Sequence, residues 1–312
     1  MSLAHVPISR SSTDFIVRFG ERTDGAGVFN VPIPVLDGVQ DERIFPGLRE
    51  IPPRDGFQLF EHNGLLMGAT SEVLAADLAG QAHGLYRRLL GLAGDRHLVR
   101  VWNYVPRINA PGAAGLENYR AFCRGRSLAF EEHLGKGYRE HLPAASAVGG
   151  VDGRLAVIFV ATRAEPARFE NPEQVPAYEY PPEYGPRAPS FARATRVAEA
   201  GFHYVFISGT AAIKGHATVA AGDLGGQIGC TLDNLRIISR ACDLGERLGE
   251  GTGAGWRRHF KVYLRHAADY AAAAAVLNGT LFAPTDRVTW LQSDICRSAL
   301  LIEIEATLVA EV

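Results

Sequence analysis

The chain has 312 residues with a formal net charge of −2, 47% hydrophobic and 21% charged residues. That balance excludes a disordered chain and lacks the general cationic field that non-specific nucleic-acid binding requires, so no nucleic-acid partner is expected. No apolar run reaches the roughly 18 residues of a spanning helix, and the start "MSLAHVPISRSSTD" lacks a secretory pattern, so a cytoplasmic protein with no membrane partner is expected.

The first clear element is "FQLFEHNGLLMGAT" (57–70), two apolar runs about Asn63-Gly64, which predicts a hairpin. "DLAGQAHGLYRRLLGLAG" (77–94) has helical spacing and a glycine stop. "HLVRVWNYV" (97–105) reads as a strand and "LENYRAFCRGRSLAFEEHLG" (116–135) as a helix. Then "AEPARFENPEQVPAYEYPPEYGPRAP" (164–189) carries seven of the 17 prolines, so no regular element survives there. Its tyrosines, Tyr178, Tyr180 and Tyr184, predict a loop packed over something, a pocket wall or plain surface.

The second half repeats that order. A hairpin is predicted at "FHYVFISGTAAIKGHATVA" (202–220), a helix at 223–245, a strand at "HFKVYLRH" (259–266) and a helix at 268–279. "DLAGQ" (77–81) and "DLGGQ" (223–227) open equivalent helices, which argues for internal duplication. The expected fold class is α/β (α+β), two lobes over 1–150 and 151–312, each a mixed sheet packed on helices.

The familiar motifs are absent or misplaced. "GEGTGAG" (249–255) follows a helix rather than a strand, so it is no dinucleotide loop. His133 and His141 do not converge on one helical face, and the cysteines Cys123, Cys230, Cys242 and Cys296 form no CxxC, so neither a metal site nor a disulfide framework is expected. Gly209 ends an apolar strand, either relaxing the backbone or leaving room for a ligand. Lys214 and His216 sit at the turn after it.

In the last segment, "DICRSALLIEIEA" (294–306), alternation puts Leu300, Ile302, Ile304 and Ala306 on one face. Leu301, Glu303, Glu305 and Thr307 share the other, which is either wet or turned into a cleft where desolvation raises a carboxyl pKa. Cys296 lies where a strand end or bulge turns it toward Glu303, and Arg297 adds a fork able to grip a carboxylate.

"HYVFISGTAAIKGHATVAAGDLGGQ" with "TLDNLRIIS" and the terminal "IEIEA" resembles the Rid/YjgF superfamily. "LENYRAFCRGRSLAF", "PSFARA" (189–194) and "LQSDICRSALLIEIE" (291–305) are together similar to the chorismatases, over about residues 55–310. The resemblance implies two Rid-like lobes and cleavage of the enolpyruvyl ether of chorismate, with no cofactor. It implies Glu303 as the proton donor, with Arg297, Arg193 and Arg163, backed by Lys214 and Tyr184, as candidate groups for the two substrate carboxylates. Members that form 3-hydroxybenzoate have a glycine and a cysteine at the positions of Gly209 and Cys296, where hydrolytic members carry other residues, alanine in place of the glycine. A 3-hydroxybenzoate synthase acting as a monomer is therefore expected. The alternatives are a hydrolytic chorismatase giving a dihydroxycyclohexadienoate, a mixed 3-/4-hydroxybenzoate synthase, or a Rid-like imine deaminase or binding protein, whose carboxylate-gripping arginine falls near Arg287.

Overall fold

The computed structural model describes residues 15–45, 47–112, 115–199, 201–250 and 255–312. The first fourteen residues and 251–254 of the glycine-rich stretch lie outside them, with the readings made of those segments. In chain order the described residues begin with four short strands, β1 (Ile16–Phe19), β2 (Val28–Val31), β3 (Val35–Gly38) and β4 (Asp41–Glu42). The first lobe continues as β5 (Arg49–Arg54), β6 (Phe57–His62), β7 (Leu65–Val73), α1 (Leu78–Ala93), β8 (His97–Pro106), α2 (Asn118–Leu134), β9 (Ala144–Gly150) and β10 (Arg154–Thr162). The second is β11 (Ala167–Phe169), β12 (Ala194–Glu199), β13 (Phe202–Ala211), β14 (Ile213–Lys214), β15 (Ala217–Thr218), α3 (Leu224–Ala241), β16 (Arg257–Leu264), α4 (Tyr270–Thr280), β17 (Arg287–Gln292) and β18 (Ile302–Glu311).

The duplication is explicit in the sheets. The first has the order β5-β6-β7-β10-β8-β9 and the second β11-β12-β13-β18-β16-β17, extended at its edge by β3. The chain's last strand in each lobe thus inserts at the centre. In both lobes the edge pair, β8 with β9 and β16 with β17, is parallel and joined by a crossover helix, α2 or α4. The division expected after residue 150 falls between β9 and β10 of one sheet; hydrogen bonding carries the first sheet to Thr162.

Local chemistry explains the elements. Asn63 and Gly64 have φ of 42° and 96°, the left-handed pair that a two-residue hairpin demands. Asp77 and Asp223 cap α1 and α3, accepting from the amides of Gly80 (3.0 Å) and Gly226 (3.1 Å). The hairpin expected over 202–220 is different. Residues 202–211 form one strand whose partner, β12, precedes it, and β14 and β15 make a separate ribbon turning at Gly215, φ 55°. The turn that counts is at Gly201, φ 83°.

Each sheet packs its helices on one face, and the two remaining faces meet. Leu59, Val101, Val157 and Phe159 face α1 and α2, while Met67, Trp102, Tyr104 and Ile158 join Tyr204, Phe206, Tyr263 and Val309 of the second sheet in the central core. β18 is therefore buried on both sides. Ile302, Ile304 and Ala306 pack toward α3 and α4, and the face with Glu303 and Glu305 looks into the junction of the sheets.

Candidate active site

The site is built on an irregularity. β13 pairs with β18 in register to Ile207–Ala306 and again from Thr210–Ile304, so one extra residue bulges β13 at Ser208 and Gly209. Ser208 pins the bulge to the first lobe and the preceding loop, its Oγ donating to Ala192 O (2.6 Å) and accepting from Ala145 N (2.8 Å). The bulge sets Gly209 directly against the Glu303 carboxyl. A Cβ on Gly209 would stand 2.0 Å from Glu303 Oε1, a distance no side chain tolerates.

Glu303 is 3% exposed and its Oε1 has no hydrogen-bond partner. Burial, helped by the negative charge of Glu305, raises its pKa to about 8 against the pull of Arg100 and Arg193. It is therefore a protonated acid at neutral pH. Cys296 Sγ lies 4.0 Å from Glu303 Oε2, and burial with that neighbour pushes the thiol up to about 12. Cys296 is thus a neutral, compact wall rather than a nucleophile at neutral pH.

Glu305 contrasts with its neighbour. Burial alone would raise its carboxyl, but Lys261 Nζ at 2.8 Å and Arg100 Nη2 at 2.6 Å hold it well below the usual range. Trp102 Nε1 also donates to it, at 2.8 Å.

A cleft of about 250 Å³ opens from Glu303 to the surface between the lobes. Gly209, Cys296, Arg297, Arg193 and Tyr184 all line it. The proline-rich loop forms one wall through Tyr180 and Tyr184, and it is tied down by Gln174 Nε2 to Ile213 O (2.8 Å) and by Val175 N to Gly215 O (3.0 Å). Arg297 stacks over the Tyr184 ring at 4.0 Å and is aimed by Nη1 donating to His216 O at 2.7 Å. Arg193 is 7% exposed, donates to Tyr180 Oη at 2.9 Å, and holds Nε 3.8 Å from Glu170, whose own carboxyl burial raises to about 7.

Two expected residues are not there. Arg163 follows β10 at the far edge of the first lobe, 61% exposed and 3.7 Å from Asp95, in a different groove. Lys214 is engaged by Glu173 on the outer side of the β14–β15 ribbon and does not line the cleft. Arg287, at the start of β17, is exposed and donates to Asp41 O (2.9 Å).

The first lobe supplies residues that the sequence reading left unassigned: Tyr119 and Arg120 at the start of α2 line the cleft, and Arg126 lies deeper. The signal for Arg126 was available. It sits on the apolar stripe Phe122–Arg126–Phe130, where an exposed arginine has no place.

Among the described residues no helix is long and apolar enough to cross a membrane, and no group of three or more His, Cys, Asp or Glu side chains is arranged to hold a metal.

Residues 53–161 match the family described as chorismatase FkbO/Hyg5-like, N-terminal. A 3-hydroxybenzoate synthase of Streptomyces hygroscopicus is 40% identical over 223 residues, 70% of this chain and 65% of that protein, so the match spans just under two thirds of the relative's length. A chorismatase of Streptomyces rapamycinicus is 38% identical over 236 residues, 74% of this chain and 69% of the relative. The crystal structure of a chorismatase at 1.08 Å superposes with a TM-score of 0.79 and 30% identity, over 97% of this chain and 95% of the other. With the cleft between duplicated lobes and matches along most of its length, the chain belongs to the chorismatase family.

Proposed function

We propose that the protein converts chorismate to 3-hydroxybenzoate and pyruvate, with Glu303 as the general acid. The observation that carries this reading is a carboxyl group kept neutral near pH 7 by burial, at the inner end of a cleft walled by arginines and tyrosines. Protonation of an enol ether at its terminal methylene needs such an acid, and the product is an oxocarbenium ion. The ether bond to the ring then breaks under attack by the neighbouring ring hydroxyl. The ring loses one proton as it becomes aromatic, which balances the proton taken from Glu303, so chorismate is the only reactant. Two fused lobes complete the cleft within one chain, and a monomer suffices.

Gly209 and Cys296 favour this product over hydrolysis. Only a residue without a Cβ lets the Glu303 carboxyl lie against the bulge, and Cys296 Sγ stands 4.0 Å from its other oxygen, so the two residues together fix where the acid points. Arg297 and Arg193, with Tyr184, are assigned to the substrate, whereas Arg163 and Lys214 are not. The Rid-like alternative is disfavoured by Arg287, which lies outside the cleft.

Incubation of the purified protein with chorismate tests the reading. Equimolar pyruvate, by lactate dehydrogenase coupling, and 3-hydroxybenzoate, by chromatography, are expected. No pyruvate would end the proposal, and a dihydroxydiene or 4-hydroxybenzoate as main product would reassign the chain within the family.

A further inference from the structure

A second pocket lies at the edge of the first lobe. It has about 270 Å³, as much room as the catalytic cleft, and opens where the last turns of α1 and α2 meet the start of β8. None of its lining residues lines the cleft. Leu90, Leu98, Phe130 and Leu134 give it apolar walls, while Arg96 and Arg168 bring two positive charges. Carboxylates of the protein do not answer those charges. Among the described residues neither arginine makes an ion pair. Asp95, which also lines the pocket, is 77% exposed and turns to Arg163 at 3.7 Å, and Glu165 acts on Arg168 only at longer range.

Basic side chains past a helix C-terminus are ordinary, because they meet its last carbonyls. Arg168 is placed differently. It comes from β11 of the second lobe and is fixed by donating Nε to Leu142 O and Nη1 to Pro166 O, both at 3.2 Å. Its Nη2 is buried with no hydrogen-bond partner, and so is Nε of Arg96. Unpaired buried donors are costly, so the fold alone gives no reason to keep two of them around one pocket. His97, His133 and His141 complete the rim with N–H donors that need no charge. We propose that this pocket binds a small monocarboxylate with an apolar, ring-sized body, the carboxylate between Arg96 and Arg168 and the body against Phe130 and the leucines. A bare inorganic anion would leave those walls wet, and a neutral apolar ligand would leave the arginines unmatched. An arginine fork meets a carboxylate with parallel hydrogen bonds, which orients the ligand as well as attracting it. The class includes 3-hydroxybenzoate, but the site stands whether or not the cleft turns chorismate over.

Methyl NMR of the full chain, labelled at leucine and isoleucine, with benzoate as the probe, tests the site and locates it. The Leu90, Leu98 and Leu134 signals are expected to shift together and half-saturate at about 1 mM, an affinity ordinary for so small a ligand. Acetate, which lacks the body, and benzamide, which lacks the charge, should each bind at least about tenfold more weakly. Arg168→Met should raise the benzoate concentration at half-saturation about tenfold or more at the same methyls. Should that variant fail to fold, Arg96→Met is read in its place, with the same expected loss. Leucine signals that stay put at about 20 mM benzoate, well past the expected midpoint, would overturn the site. So would benzamide binding as tightly as benzoate, or an unchanged midpoint in the folded arginine variant. Shifts confined to Ile213, which lines the cleft, would place benzoate there alone and overturn it as well.

Discussion

On the inter-sheet face of β18, two glutamates two residues apart are held in opposite states, Glu303 raised to about 8 and Glu305 well below the ordinary range. Both are buried, so burial does not distinguish them; partners do. Glu305 has Lys261 and Arg100 within hydrogen-bond reach, and Glu303 has an orphan oxygen and a thiol. For an acid that must be protonated, activity should be level below about pH 8 and fall as pH rises through that value. Glu303→Gln should lower kcat by about a thousandfold, within the range of a positioned general acid, and the pH profile is the check. Its effect on stability has the opposite sense. The folded pKa lies above the unfolded one, so the stabilising preference for the neutral form is complete below 4.5 and is lost as pH climbs toward 8. At pH 8 the glutamine variant should unfold no earlier than the wild type in a thermal scan. Gly209→Ala is the second test of this contact. Its Cβ must displace Glu303 Oε1, so kcat should fall at least tenfold and the product mixture shift toward the dihydroxydiene, with an unchanged mixture leaving Gly209 a backbone residue only.

The two helix-opening motifs show how much of an element can be read before it is seen folded. "DLAGQ" and "DLGGQ" announce caps, and both aspartates cap as expected. What the letters do not show is where the glutamines point. Gln81 bridges Val73 O (2.9 Å) and Ala75 N (2.8 Å) within its own lobe's edge. Gln227 makes the same two-way bridge to Ala299 O (2.8 Å) and Leu301 N (2.7 Å), so it holds the segment between Cys296 and Glu303. Gln227→Ala removes the partner of two part-buried backbone groups, Ala299 O and Leu301 N, which costs about 1 kcal/mol of stability, and should also lower kcat/KM; Gln81→Ala should lower stability alone. Denaturant unfolding beside steady-state rates would show the contrast. The hairpin, helices and strands of each lobe were legible because their periodicity is local. The bulge at Gly209 was not, since it exists only against a strand some ninety positions later. The β18 face was legible as a question, wet or buried, and the first lobe's sheet answered it by packing over that face. Arg163 was a candidate because the resemblance calls for arginines to meet two carboxylates, but chain position alone does not say which end of a sheet faces the cleft.

Packing two lobes sheet against sheet leaves one ionic cluster at the centre of the molecule. Arg100 and Trp102 reach from β8 of the first lobe to Glu305 on β18 of the second, and Lys261 on β16 joins Glu305 to Glu42 at 2.6 Å. The sequence held this signal in plain view, as an arginine and a lysine inside the strands "HLVRVWNYV" and "HFKVYLRH". It was hard to read because charge balance depends on which strands face each other across the junction. Such a cluster joins the lobes specifically rather than strongly, since its members give up hydration to pair. Removing one member is a different matter. Glu305→Ala strands Arg100 and Lys261 with too little negative charge, and should lower unfolding free energy by about 3–5 kcal/mol at neutral pH. Adding Arg100→Met to Glu305→Ala should recover part of that loss, a non-additivity that a double-mutant cycle in urea measures directly. The pH dependence follows from the same geometry. The folded carboxyl stays ionised where the unfolded one takes up a proton, so the contribution of Glu305 is full above 4.5 and is lost as pH falls below it. Between pH 6 and pH 3 the wild type should therefore lose more stability than Glu305→Gln does; equal slopes would show that the cluster is not what ties acid unfolding to the junction of the lobes.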